Sequence, residues 1–172
     1  KPFRSHQNMF FGVSLMLLVE AMDEGPLLAY GVHDLSPHVT SPELTDYLIK
    51  LSYALIKDIV PKYIGGEIKT SPQTITGREP SYSRKLTKED SLIDWSKPAA
   101  VIEREIRAYA GWPKSKANLA GLEAIIIKSH VVDESGKPSK RIVLNKLPVV
   151  CCGSQSLAID RLKLAGKKEI TG

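Results

Sequence analysis

Residue type and clustering in this chain point first to phosphate binding. Arg84, Lys85 and Lys88 crowd one short stretch, Lys114 and Lys116 follow a Trp-Pro pair, and Lys163, Lys167 and Lys168 sit near the end of the sequence. Ammonium and guanidinium groups on such a track hold phosphates and add affinity without reading base sequence. The plain alternative is a solvated basic face. Charge distribution favours the track. Lys1 to Glu67 carries 5 basic and 8 acidic residues, net −3, whereas Ile68 to Gly172 carries 19 and 11, net +8. A step of that kind marks one half as the one that faces a polyanion.

Other side chains offer less. Taken alone, Asp23 is an acidic turn residue in the run Asp23, Glu24, Gly25. His33, Asp34 and His38 place two imidazoles and a carboxylate on one loop, but the spacing is nonspecific and surface polarity is the better reading. Cys151 and Cys152 are adjacent, an awkward geometry for a structural disulfide, and read as a strand pair with one buried thiol. With no Cys/His zinc spacing, no metal site is expected. Trp95 and Trp112 flank a predicted helix and pack its ends, with base stacking as the alternative role.

The elements that must position these residues follow from periodicity. Gly12 to Val19 is apolar apart from Ser14 and shows no helical period, predicting a strand buried on both faces, and Pro26 to Val32 predicts a second strand. Ser41, Pro42 and Glu43 read as an N-cap, a first-turn proline and a dipole-complementing acid. Leu44, Leu48, Leu51, Leu55 and Ile59 then form one stripe of an amphipathic helix that Pro61 and Gly65-Gly66 should end. Thr70 to Ser83 is rich in Thr, Ser, Pro and Gly and reads as an extended linker. Pro98 opens a shorter helix with Ala99, Ile102, Ile106 and Tyr109 on one face. Strands are predicted over Leu122 to Val132, Arg141 to Leu144, Pro148 to Cys152 and Leu157 to Leu164. About five short strands and one helix suit a small OB-like barrel. The longest apolar run, Met9 to Met22, is broken by Ser14 and Glu20 and is too short to span a bilayer. The expectation is a monomer in a reducing, cytoplasmic setting, with no membrane segment.

Three segments carry a family resemblance: Gly12 to Pro26 (GVSLMLLVEAMDEGP), Tyr82 to Trp95 (YSRKLTKEDSLIDW) and Leu164 to Gly172 (LAGKKEITG). In this order, and with IRAYAGWP from Ile106 to Pro113, the chain resembles the back part of methionyl-tRNA formyltransferase. The resemblance implies that residues 1–67 close a Rossmann-like formyltransferase domain, that 68–83 form a linker, and that 84–172 form an OB-like domain that helps hold initiator methionyl-tRNA. Enzymes of this family move a formyl group from 10-formyltetrahydrofolate to the methionine amino group of that tRNA. Acyl transfer to an amine needs donors for a tetrahedral oxyanion and a group that manages the nitrogen's protons. The family uses an Asn and a His in N-x-H-x-S-L-L-P and an Asp in L-D-x-G. Met22-Asp23-Glu24-Gly25 matches the latter, so the resemblance puts Asp23 in the catalytic position, with Gly25 forming the tight loop. The match departs at Pro26, where many members have a second Asp. It also implies that Lys85 lies where the chain runs along the tRNA.

The Asn and His have no match. His6 and Asn8 stand in reversed order, 17 and 15 residues before Asp23, and no S-L-L-P follows. The expectation is therefore a piece of a longer enzyme, or a rearranged descendant, that binds tRNA without catalysing transfer. Two rivals remain open: a stand-alone OB-type RNA-binding module, and a relative of the sugar-nucleotide formyltransferases or formyltetrahydrofolate hydrolases.

Overall fold

The computed structural model describes residues 10–73, 83–119 and 121–171. They fall into two compact units, one running through Val39 and from Glu43 to Ser83, the other taking Thr40–Pro42 and continuing from Arg84. Among the described residues no helix is long and apolar enough to cross a membrane.

In the first unit, β1 (Phe10–Met16) and β2 (Leu27–Asp34) pair antiparallel, with Gly12 opposite Val32 and Leu15 opposite Ala29. The strand predicted over residues 12–19 is shorter and more exposed than expected. It stops at Met16, Leu18 and Val19 are exposed, and no residue from Phe11 to Met16 is fully buried. Among the described residues β2 is its sole strand partner, so an apolar run suited to a sheet interior has no cover on both faces.

The long helix α1 (Ser41–Ile64) starts where predicted, and its five-residue stripe from Leu44 to Ile59 is half-buried throughout. A Cβ on Gly31 would come within 2.9 Å of Leu51 Cδ1, so β2 and α1 pack closely there. Pro61 does not end the helix. So near the C-terminus a proline forfeits a single intrahelical bond, and the turn continues for three more residues. The stop comes at Gly66, whose φ of 76° takes the chain left-handed. Gly66 N–H donates to Tyr63 O at 3.1 Å and Glu67 N–H to Lys62 O at 2.9 Å, the paired bonds of a Schellman ending.

The second unit holds a 3-10 turn (Glu89–Ser91), helix α2 (Ala99–Ala108) and six strands: β3 (Ser115–Leu119), β4 (Leu122–Val132), β5 (Arg141–Leu144), β6 (Leu147–Cys151), β7 (Ser156–Leu164) and β8 (Glu169–Thr171). They form one antiparallel sheet in the order β3-β4-β7-β6-β5, with β8 also on β7. The fold is a mainly β sheet with one covering helix. No closed barrel is seen: β3 and β5 remain edges among the described residues.

Burial explains the sidedness. Ala99, Ile102 and Ile106 of α2 are at most 2% exposed and meet Ala117, Ala124, Ile126, Leu157, Ile159 and Leu162 from the sheet. Trp95 packs beside this cluster, whereas Trp112 is half exposed. Both cysteines are free and buried, not one as expected. Cys152 belongs to the α2 cluster, while Cys151 backs onto Gly136, where a Cβ would lie 2.7 Å from its Sγ. Burial pushes the Cys152 thiol up to about 11, so it stays protonated and inert at neutral pH.

Candidate nucleic-acid interface

The eight cations singled out in the sequence occupy different situations. Arg84 is tied down. Its guanidinium grips Asp90, with Nη1 donating to Oδ2 at 2.8 Å, and the Thr87 amide donates to the same carboxylate at 2.6 Å. This pairing holds the Asp90 carboxyl well below the usual carboxylate range. Its structural effect is to close the turn that carries Lys85 and Lys88. Lys114 has φ 75° and donates from Nζ to Ala110 O at 2.6 Å, which orients its side chain but leaves its charge. Lys116 lies 3.3 Å from Glu123 in an exposed pair. Among the described residues, no carboxylate pairs with Lys85, Lys88, Lys163, Lys167 or Lys168.

Strand register brings part of the set together. Lys116 on β3 stands opposite Ile125 on β4, and Ile125 stands opposite Lys163 on β7. Directly opposed residues share a sheet face, so Lys116 and Lys163 point the same way, two strand spacings or roughly 10 Å apart. The opposite face is the one α2 covers. A bulge at Ile127 then places Lys128 opposite Arg161, both exposed, with Arg161 two residues from Lys163 on the same face. Arg161 is paired with Glu169 at 2.6 Å, and Lys128 has no carboxylate partner among the described residues. Lys167 and Lys168 occupy the exposed turn between β7 and β8, where Gly166 at φ 71° reverses the chain. The uncovered side of the sheet is thus a cationic surface with acidic counterparts at two of its positions.

Asp23 lies in the first unit, exposed, on the loop between β1 and β2. The loop is pinned by Leu17 N–H donating to Pro26 O at 3.0 Å, and by Gln73, whose Nε2 donates to the carbonyls of Asp23 and Gly25 at 2.8 Å each. Asp23 itself carries the left-handed backbone, φ 61°, a conformation Asp tolerates better than most residues. Gly25 is required for a different reason than a turn's dihedrals: a Cβ there would sit 1.7 Å from Leu17 O. His6 and Asn8 lie outside the described residues. His33 stacks on Tyr47 with centroids 3.6 Å apart. Among the described residues no group of three or more His, Cys, Asp or Glu side chains comes together to hold a metal.

The family model for the formyl transferase C-terminal domain matches residues 85–172. The chain belongs to that family. Over 165 residues it is 36% identical to a methionyl-tRNA formyltransferase of Chloroflexus aurantiacus, covering 94% of this chain and 53% of that protein. The chain spans about half the length of the curated relatives it matches. HypX from Aquifex aeolicus, solved in complex with tetrahydrofolic acid, is similar with a TM-score of 0.68 at 17% identity, over 94% of this chain and 29% of that one. WlaRD, a sugar 3N-formyl transferase, gives 0.66 at 18% identity, over 94% and 57%. At those identities the likeness is one of fold.

Within this formyl transferase domain, sequence reasoning passed over Lys128 and Arg161. The signal for Arg161 was present, because Arg161 and Lys163 alternate with Leu162 and Leu164 in a period of two. Lys128 was hidden by the bulge, which breaks that alternation one residue earlier.

Proposed function

We propose that residues 84–172 hold initiator methionyl-tRNA through its phosphates, and that the chain is part of a methionyl-tRNA formyltransferase. In this reading that part is an OB-like module, residues 68–83 are a linker, and residues 1–67 belong to a Rossmann-like formyltransferase domain. The observation that carries the proposal is the register that puts the unpaired Lys128 and Lys163, beside the carboxylate-paired Lys116 and Arg161, on the one sheet face that α2 leaves open. Lys167 and Lys168 extend that surface, and Lys85, Lys88 and Lys114 supply a second group of ammonium groups. Arg84 acts by ordering the turn, since its charge is already matched by Asp90.

Asp23 then supplies the carboxylate of a formyl-transfer site, on a loop that Gln73 and Gly25 hold in shape. A carboxylate so placed can take a proton from an attacking amine as the carbonyl carbon becomes tetrahedral. 10-Formyltetrahydrofolate is the cosubstrate in this reading. The Asn and His that complete such a site have no match in the sequence, so this chain by itself binds tRNA and does not transfer formyl.

Labelled initiator tRNA titrated with the chain tests both halves of the proposal. Affinity is expected to fall steeply with salt, and incubation with 10-formyltetrahydrofolate is expected to yield no formyl-methionyl-tRNA. A flat salt response, or equal binding to an uncharged polymer, would leave the sheet face a merely solvated surface. Turnover that disappears in Asp23→Ala would show that the site is complete. Saturable binding of a deoxythymidine-diphosphate sugar with no tRNA binding would favour the sugar-nucleotide class.

A further inference from the structure

The open face of the sheet carries a pair of side chains that its lysines and arginine do not account for. His130 on β4 donates from Nδ1 to Asp160 Oδ1 on β7 at 2.9 Å. The direction follows from chemistry, since an ionised carboxylate can only accept. Register makes the pair. Ala158 stands opposite His130, and its single methyl lets the imidazole lean to Asp160, two residues further along β7. Asp160 itself has no partner in the ladder. Pairing passes from Lys128 with Arg161 to Ser129 with Ile159, so Asp160 is the extra residue of a bulge, a device that re-aims a side chain.

The pair belongs to the cationic surface. Lys128, Ser129 and His130 alternate exposed, buried, exposed, so Lys128 and His130 project from the same face. Half of the His130 side chain is exposed, and its Nε2 has no partner among the described residues. The other charges on this face near it are Lys128, with no carboxylate partner among the described residues, and Arg161, which is paired with Glu169 of β8. On the β6 side Val149 stands opposite Ala158 and does not ionise. Asp133 and Glu134 follow the end of β4, roughly 10 Å or more along the chain from His130. His130 is the sole histidine of residues 84–172. Histidine is the side chain that ordinarily changes charge between pH 5 and 8.

Protonation therefore changes what this part of the surface offers a phosphate. With the imidazole neutral, Nδ1 holds the hydrogen, Nε2 is a bare acceptor, and the pair carries the single negative charge of Asp160, which repels a phosphate. With the imidazole protonated, the pair is neutral and Nε2–H is an exposed, charge-assisted donor. We propose that the His130–Asp160 pair is a proton-gated phosphate contact of the RNA-binding face, closed when deprotonated and open when protonated. A phosphate laid against it favours the protonated form, so RNA binding takes up a proton. The inference rests on the phosphate-binding reading. It adds a dependence on pH that lysines and arginines, charged throughout this range, do not have.

The test follows labelled initiator tRNA binding to the whole chain by fluorescence anisotropy, from about pH 5.5 to about pH 8. Affinity should rise about fivefold as pH falls through this range, the upper end of what one exposed ion pair contributes. Over the same interval the plot of log affinity against log salt should steepen by about 0.7 to 0.9, as one more phosphate contact is made. His130→Gln keeps a polar side chain at an exposed site and should bind with one affinity across the range. Asp160→Asn removes the repelling charge and should bind about fivefold more tightly than wild type at the alkaline end. Calorimetric titrations in two buffers of different ionisation enthalpy should show proton uptake on binding by wild type and none by His130→Gln. A wild-type affinity that ignores pH would overturn the proposal, as would a His130→Gln protein that keeps the wild-type pH dependence, or an Asp160→Asn protein that binds no tighter. If in any of these cases binding still falls steeply with salt, the gate is lost and the phosphate surface stands. If tRNA binds at no pH, both fall.

Discussion

Replacing Lys163 with alanine separates a phosphate contact from a decorative charge. Lys163 is exposed on the open sheet face and has no carboxylate partner among the described residues, so its full charge is available. Arg84, by contrast, already neutralises Asp90. Each phosphate contact steepens the plot of log affinity against log salt by about 0.7 to 0.9. Between 50 and 200 mM salt that is about threefold in affinity per contact. If Lys128, Lys163, Lys167 and Lys168 each hold one phosphate, the wild-type slope should be about −3 and the total loss over that range about 60-fold. Lys163→Ala should reduce the slope by slightly less than one unit, with initiator and elongator tRNAs affected alike. Arg84→Ala should leave the slope nearly unchanged. Fluorescence anisotropy with labelled tRNA at five salt concentrations gives both slopes. A Lys163→Ala slope equal to wild type, or an Arg84→Ala slope that falls as much as the Lys163 one, would refute the assignment of free and spent charges.

Further outcomes follow from packing and ionisation. Ile102, 0% exposed between α2 and the sheet, should cost about 3 kcal/mol in urea unfolding when cut to alanine. Asn145 and Lys146 both have positive φ, 50° and 67°, in the two-residue turn between β5 and β6. Lys146→Gly removes a strained lysine from that turn and should raise stability by about 0.5 to 1 kcal/mol, read as a higher melting temperature. The Asp90 carboxyl is depressed below its ordinary 3.8, chiefly by its Arg84 hydrogen bond, so the unfolded chain takes up this proton before the folded one. Its stabilising effect is therefore present above about pH 4 and is lost progressively as pH falls further. Asp90→Asn should show a shallower acid decline than wild type in unfolding followed by circular dichroism. Gly25→Ala, with its Cβ placed 1.7 Å from Leu17 O, should open the Asp23 loop and speed hydrogen exchange at the Leu17 amide.

Local periodicity carried much of this fold. The Leu44-to-Ile59 stripe, the α2 face and the strands β4 to β7 were legible because each repeats large apolar side chains at its own period, buried in α2, β4, β6 and β7 and half-buried in α1 and β5. β3 was not, because its inward residues are Ser115 and Ala117, small groups that leave no apolar signature beneath α2. A three-residue edge such as β8 is likewise too short to show a pattern. Sheet closure could not be read, since it depends on whether β3 and β5 meet and neither sequence encodes its partner. α1 shows another limit: Ile49, Tyr53, Ile56 and Ile64 form a second apolar row, exposed in this structure, that a search for one stripe overlooked. At the candidate interface, residue type identified most of the cations, but only register and bulge position told which of them share a face. Only side-chain geometry told that Arg84 is paired with Asp90.

The contact between the β6–β7 loop and the segment leading into α2 has an engineering consequence. Gly153 N–H donates to Lys97 O at 2.9 Å, Ala99 N–H donates to Ser154 O at 3.0 Å, and a Cβ on Gly153 would fall 1.8 Å from Ser96 O. Chain distant in sequence is therefore clasped backbone to backbone, with no room for a side chain between. Inserted peptides, tags or new termini placed at residues 153–154 would prise α2 from the sheet and empty the core. The exposed turn at Gly166-Lys167 has open space around its glycine. It is the place where a graft could be carried without disturbing the helix, at the expense of the cationic surface it borders.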